Sequence, residues 1–297
     1  MLQEIFSIIA PIFLCAAIGY LWAKRGESFD NDFVGKLVMN IAAPCLIFST
    51  MTRLHVSTEA LTTMGFATLL AIFLIGFMGF ITIKVLGLDD KTYLPSMIFS
   101  NTGNMGLPLC LYAFGDEGLA LSMVIFVCSI AIHLSVGLMY VSGRSNLDQV
   151  LKAPILYAVV LALLINIGGL PLPRWIFNTT ELLGDMAIPL MLLVLGISLA
   201  NLKINTLKEA CKLSLARLIL CFGCALLVVY LVPLPKVAQG VLILQLSMPV
   251  AVFNYLIARQ FKRGDVEVAS FVVVSTAFSF ATLPLLLWYV LGSFSGT

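Results

Sequence analysis

Ser100-Asn101-Thr102-Gly103-Asn104-Met105-Gly106-Leu107-Pro108 decides how this chain folds, together with Gln245-Leu246-Ser247-Met248-Pro249-Val250-Ala251-Val252-Phe253-Asn254 in the second half. Each is a polar, Gly- or Pro-punctuated run set in apolar sequence where an uninterrupted membrane span would otherwise be read. Unpaired backbone groups are costly in lipid, so such breaks persist only where protein or a polar cavity surrounds them. Two of them, one per half, point to a pathway for a solute.

Working outward, the rest of the 297 residues is apolar enough to require a bilayer. The chain is 61% hydrophobic and only 11% charged, with a mean hydropathy of +1.07, whereas soluble domains carry roughly 25% charged residues. Apolar stretches of about 20 residues, each long enough to cross the hydrocarbon layer, recur from end to end. The start, Met1-Leu2-Gln3-Glu4, carries an acid where a secretory signal has basic residues, so the first span is read as a retained helix. Seven Cys, all inside apolar runs, do not form a disulfide framework, and Cys221-x-x-Cys224 reads as small packing residues. No metal or other cofactor is expected. A net charge of +2 spread over short loops implies no nucleic-acid partner.

Hydropathy with Gly, Pro and charge punctuation predicts an all-α integral membrane protein with ten transmembrane helices, at about 3–23, 33–51, 60–87, 92–114, 118–142, 150–170, 175–200, 207–232, 237–259 and 266–292. If the N-terminus is outside, the cytoplasmic connections hold Lys24, Arg25, Lys84, Lys91, Arg144, Lys152, Lys203, Lys208, Lys212, Arg259, Lys262 and Arg263. The outer ones hold only Arg53, Arg174 and Lys236. This bias predicts a multi-pass protein of the inner (plasma) membrane with both termini on the extracytoplasmic side. An internal repeat is also legible. Leu37-Val38-Met39-Asn40-Ile41-Ala42-Ala43-Pro44 resembles Leu182-Leu183-Gly184-Asp185-Met186-Ala187-Ile188-Pro189, and Gly115-Asp116 and Gly264-Asp265 follow the two broken spans. Five helices per half is an odd number, so residues 1–142 and 143–297 are expected to be inverted repeats, with a site at their interface formed by discontinuous helices.

The broken helices offer free N–H groups and a partial positive charge at their half-helix N-termini. Asn101, Thr102 and Asn104 add amide and hydroxyl groups, and Pro108 is expected to end the helix; Gln245, Ser247, Pro249 and Asn254 are their counterparts. Neutral donors without a fixed cation suit a carboxylate that must be both bound and released. Met-, Phe- and Leu-rich walls would tolerate several acids.

At these residues the chain resembles the auxin efflux carrier family, whose bacterial relatives are described as malonate or organic-acid permeases. The resemblance covers essentially the whole chain and rests on Ser100–Pro108, Tyr112-Ala-Phe-Gly-Asp-Glu-Gly118, Met248–Arg259 and Ile188–Gly196. It implies two inverted five-helix halves similar to bile-acid symporter and sodium/proton antiporter folds. Helices 1, 2, 6 and 7 would form the scaffold, and helices 3–5 with 8–10 a moving transport domain. Helices 4 and 9 would cross at their prolines. It also implies that Asn101 contacts a substrate carboxylate. A homodimer would form through the scaffold helices. The connection from Ser142 to Asp148 is too short for the regulatory loop of plant members.

Among ionisable groups at membrane depth, His133, one turn after Ser129, is a candidate proton relay or a neutral hydrogen-bonding residue. Asp185, one turn before Pro189, could carry a proton or line an outer vestibule. Arg217 is expected to snorkel to the cytoplasmic interface, with attraction of the substrate anion as the lesser alternative; Lys36 is expected to snorkel likewise, and Asn201 either reaches the cavity or caps its helix. No carboxylate cluster sits in the breaks, which favours a proton over sodium as coupling ion and leaves uniport open. The expected activity is elevator-type secondary transport of a small organic anion, a dicarboxylate or auxin-like acid. An anion-conducting channel and a non-transporting sensor are the alternatives. Neither HExxH nor GxSxG occurs, so no enzyme is expected.

Overall fold

The computed structural model describes residues 2–53, 58–143 and 151–294. Arg144 and the connection beyond Gly143 lie outside them. Among the described residues the secondary structure is helical apart from one isolated antiparallel bridge. In chain order the helices are α1 (Leu2–Lys24), α2 (Asn31–Leu37), α3 (Ala43–Arg53), α4 (Thr58–Val85), α5 (Asp90–Ile98), α6 (Leu107–Ile132) and α7 (Leu138–Ser142). They continue with α8 (Pro154–Gly168), α9 (Arg174–Gly184), α10 (Ala187–Asn201), α11 (Leu207–Leu231), α12 (Lys236–Leu246), α13 (Val252–Gln260) and α14 (Asp265–Phe294).

Among the described residues seven helical runs are long and apolar enough to cross a membrane, so this is a multi-pass membrane protein. Seven of the ten predicted spans, those at about 3–23, 33–51, 60–87, 118–142, 175–200, 207–232 and 266–292, fall on these runs, and the differences elsewhere have local causes. Residues 102–142 form one run, but at 1.5 Å per residue it would measure about 62 Å, twice the hydrocarbon thickness. Gly115 breaks it with φ 65° and ψ −155°, a conformation that only glycine adopts cheaply. The predicted spans at 92–114 and 237–259 are interrupted, leaving α5, α12 and α13 too short to cross alone. The last difference is α8, shorter than predicted, which starts at Pro154 and ends at Gly169 in the left-handed conformation.

Proline shapes the helices in a recurring way. Two π-helical turns, Val38–Ala42 and Thr102–Gly106, each occupy the positions six to two residues before a proline, Pro44 and Pro108. A proline cannot donate to the carbonyl four residues back, and its ring crowds that carbonyl; widening the preceding turn relieves both problems. Pro108 therefore does not end its helix, contrary to expectation. It sits in the first turn of α6, and the actual break lies at Phe99–Asn101. In the second half the proline does lie in the break, which spans Ser247 to Ala251.

Packing divides the helices into two groups. In one, α1 lies along α10, α3 packs on α8 and α9, and α2 touches α10. Helices α1 and α10 meet backbone to backbone: a Cβ on Gly19 would overlap the Leu193 carbonyl, and one on Gly196 the Ala16 carbonyl. In lipid, where no hydrophobic force drives helices together, such close approach of small residues is what joins them. In the other group, α4 packs on α5, α6 and α11, α12 on α6 and α14, and α13 on α14. The largest apolar core, including Met105, Leu109, Leu121, Val241, Leu244 and Leu287, runs mostly through this second group.

The carboxyl ends of α1 and α10 share one end of the molecule, since Lys24 Nζ donates to the Ala200 carbonyl at 3.2 Å, a favourable place for a cation. Glu181 lies 19 residues earlier in the same run, about 28 Å away. It binds Arg53 at 3.2 Å, and Arg53 also binds Asp116 at 2.9 Å. These contacts define a Lys24 end and an Arg53 end.

Candidate functional site

The two interrupted segments meet in extended conformation. Asn101 N donates to the Pro249 carbonyl at 2.8 Å and Ala251 N to the Phe99 carbonyl at 3.2 Å, forming the bridge between Ser100 and Val250. Every backbone group freed by a break in a membrane segment needs a partner, and here each segment supplies the other's. Side chains complete the pairing. Ser275 Oγ on α14 accepts from Val250 N at 3.1 Å, Asn254 Nδ2 donates to the Phe99 carbonyl at 3.3 Å, and Ser100 Oγ donates to the Leu246 carbonyl at 2.9 Å.

A cavity of about 420 Å³ opens beside this crossing. Its floor is Phe99 to Asn104 and Ala251 to Phe253, and its mouth is Asn31, Asp32, Asn201, Leu202 and Arg259, residues at the Lys24 end. Toward the Arg53 end it stops at a buried apolar layer that includes Leu46, Leu107, Leu119, Met123 and Ala187. Beyond that layer lies a second hollow of about 310 Å³ lined by Arg53, Asp116, Glu181 and Asp185.

One polar group of the floor is without a partner. Asn101 is 4% exposed, and its carboxamide nitrogen has no hydrogen-bond partner. The Thr102–Gly106 turn starts a helix, with Thr102 N donating to the Ser100 carbonyl at 2.8 Å and Gly106 N to the Asn101 carbonyl at 3.1 Å, and Gly103 and Asn104 belong to the cavity wall. A partly positive helix start and one unpartnered amide donor therefore border the cavity. His133 closes one side. Its ring stacks on Phe99 with centroids 3.8 Å apart and meets Phe253 edge-on at 5.2 Å, so the residues flanking both breaks clamp it.

The residues singled out from sequence separate into three places. Asn101, Thr102, Asn104, His133 and Asn201 line the cavity, with Ser129 beside His133. Pro108, Gln245, Ser247, Pro249 and Asn254 are not in its walls; they shape and brace the crossing from behind. Gln245, fully buried, presses its carboxamide against Gly106. Asp185 lies in the second hollow, at the opposite end from the cavity mouth.

Arg217 is the clearest correction. Expected to snorkel, it is 2% exposed, ten residues into α11, about 15 Å along that helix and out of reach of either interface. Its Nε donates to the Ser96 carbonyl at 2.9 Å, Nη1 to the Met248 carbonyl at 2.7 Å and Nη2 to Ser100 Oγ at 2.7 Å. Sequence reading also missed the aromatic clamp and Ser275. The depth of Arg217 was the available signal, since a charge that far from both helix ends requires internal partners.

The model of the family described as membrane transport protein matches residues 4–149 and 138–289. The chain belongs to this family. It thereby shares the family of auxin efflux carrier type read from residues 100–108 and 248–259. Two archaeal relatives are each described as an uncharacterized transporter. One, from Methanocaldococcus jannaschii, is 26% identical over 305 residues, covering 96% of this chain and 98% of the relative. The other, from Methanothermobacter thermautotrophicus, is 26% identical over 291 residues, covering 93% and 95%.

Proposed function

We propose that this membrane transport protein is a secondary carrier for a small organic anion, a carboxylate held at the crossing. The observation that carries the reading is the bridged pair of interrupted segments with a cavity beside it, bordered by the unpartnered carboxamide nitrogen of Asn101 and by the start of the Thr102–Gly106 turn. A carboxylate supplies the missing acceptor. The Phe99, Phe126 and Phe253 walls suit its apolar body, and Arg259 stands at the mouth instead of the floor, which favours release as much as capture.

In this reading the chain crosses the membrane ten times as two inverted five-helix repeats, 1–142 and 143–297. The group built on α1, α3, α8, α9 and α10 is the scaffold, and the group built on α4 to α7 and α11 to α14 is the transport domain. The denser packing within each group than between them supports an elevator-like displacement of the second past the first. A cavity open toward one end and stopped by an apolar layer at the other supports alternating access over an open pore. The positive-inside bias makes the Lys24 end cytoplasmic, so the cavity faces inward. His133 is the candidate for proton coupling, since it lines the cavity; Asp185 is placed to act in the outer vestibule.

The test is a thermal-shift screen of malonate, succinate and indole-3-acetate on the purified protein and on Asn101→Ala. At least one acid is expected to raise the parent's Tm, and the variant to lose most of that shift. Equal shifts in both proteins would remove Asn101 from the site, and saturable uptake absent for every stabilising acid would reject the carrier.

A further inference from the structure

The buried guanidinium of Arg217 is not part of the cavity wall and makes no ion pair among the described residues. A charge taken out of water without a counter-ion persists only where several groups solvate it. What solvates this one is specific. The Ser96 carbonyl belongs to the last turn of α5, and the Met248 carbonyl lies just past the end of α12. Both interrupted segments thus aim their negative, carboxyl-terminal ends at the same side chain. The third partner, Ser100 Oγ, stands between the guanidinium and the cavity and passes the bond on to the Leu246 carbonyl.

Unwound carbonyls and half-helix carboxyl ends are where carriers built on broken helices coordinate a coupling cation. In this chain that position is filled by a side chain. We propose that Arg217 is a resident cation of the crossing, standing in for a co-bound inorganic cation, so that the crossing is complete and the anion site charged without sodium. The inference rests on the carrier reading for its consequence, but the occupancy of the carbonyl site can be tested without any substrate. The chemistry is plain: a tethered charge cannot dissociate, so it neutralises the two carboxyl ends permanently. Its field reaches the cavity through one hydroxyl, adding to the positive amino end at Thr102.

The test measures thermal unfolding of the purified protein in sodium chloride and in choline chloride at matched ionic strength, for the parent, Arg217→Lys and Arg217→Ser. The parent and Arg217→Lys are expected to give the same Tm in both salts, because a protein-borne cation already occupies the oxygens. Arg217→Ser, which leaves the Ser96 and Met248 carbonyls orphaned, is expected to lose at least about 5 °C, and to regain part of it specifically with sodium or with millimolar guanidinium. Sodium-specific stabilisation of the parent would overturn the proposal. So would an Arg217→Ser protein that loses nothing or responds to neither cation. If Arg217→Ser does not fold, Arg217→Lys decides: indifference to sodium supports the resident cation, and a sodium requirement overturns it. No carboxylate is present in any arm, so the outcome is independent of whether Asn101 binds one.

Discussion

Where the first interrupted segment turns Asn101, Thr102, Gly103 and Asn104 toward the cavity, the second turns Ala251, Val252 and Phe253. The two runs looked matched in sequence, and they do meet at one backbone bridge. Their side chains nevertheless do different jobs. The first break leaves the carboxamide nitrogen of Asn101 unpartnered in a residue of the cavity wall, whereas the unpartnered groups of the second, on Gln245, Ser247 and Asn254, belong to residues outside that wall. Ser275 on α14 braces the second break at Val250 N, and Asn254 of the second segment braces the first at the Phe99 carbonyl. Two segments joined at one backbone bridge can thus present different side chains to the same cavity.

The sharpest way to break this contrast is steric. Gly106→Val is expected to destabilise by about 3 kcal/mol, because any Cβ there overlaps the fully buried Gln245 carboxamide. Ala251→Val, whose side chain grows into the cavity, should cost under about 1 kcal/mol. Paired Tm measurements decide, and equal losses would mean that the two segments are packed alike.

Hydrogen bonding gives the next effect. Ser275→Ala orphans the Val250 N–H and should cost about 1–3 kcal/mol, with Asn254→Ala near the lower figure. Asn101→Ala, which removes a donor that has no partner, should leave the unliganded Tm unchanged or slightly raised. A large loss in Asn101→Ala would move that residue from the binding half of the comparison to the supporting half.

The smallest effect concerns the starts of the two segments. Helix α5 is anchored by Asp89, whose carboxylate accepts from Thr92 N at 2.9 Å, and by Asp90, which pairs with Lys84 at 2.5 Å and accepts from Tyr140. Helix α12 starts after Pro235 with no side-chain cap. The Lys84 bond, then the Tyr140 bond, hold the Asp90 carboxyl below its ordinary value of 3.8. A depressed carboxyl contributes stability that is complete above the unfolded carboxylate range and is lost as pH falls through its lowered value. Asp90→Asn should therefore lower Tm slightly at neutral pH, by no more than about 1 kcal/mol for a part-exposed pair. The difference from the parent should vanish once Asp90 is protonated in both states. A difference that persisted in acid would assign the effect to packing.

Sequence reading reached the membrane character, the two interrupted segments and the polar residues of the first, because composition and helix-breaking residues act locally and leave visible marks. It placed the first break wrongly. Pro108 is a strong helix breaker in isolation, but a π turn ahead of it absorbs the missing donor, and the chain opens instead at Phe99–Asn101, where partners from the second segment are waiting. Arg217 was misread for a related reason. A charge in an apolar helix can snorkel or be solvated internally, and only the fold brings Ser96, Ser100 and Met248, up to 121 residues away, to the same point. The position of Gln245 behind the cavity wall was likewise invisible, since spacing along a broken helix does not fix which way its side chains turn.

The bridge between Ser100 and Val250 carries one more consequence. Riveted by reciprocal amide bonds and by a shared arginine, the two segments cannot slide over each other without exposing bare peptide groups to a dry interior. A change of shape that keeps the bridge intact would therefore carry Phe99–Asn101 and Pro249–Ala251 together, as one undeformed piece.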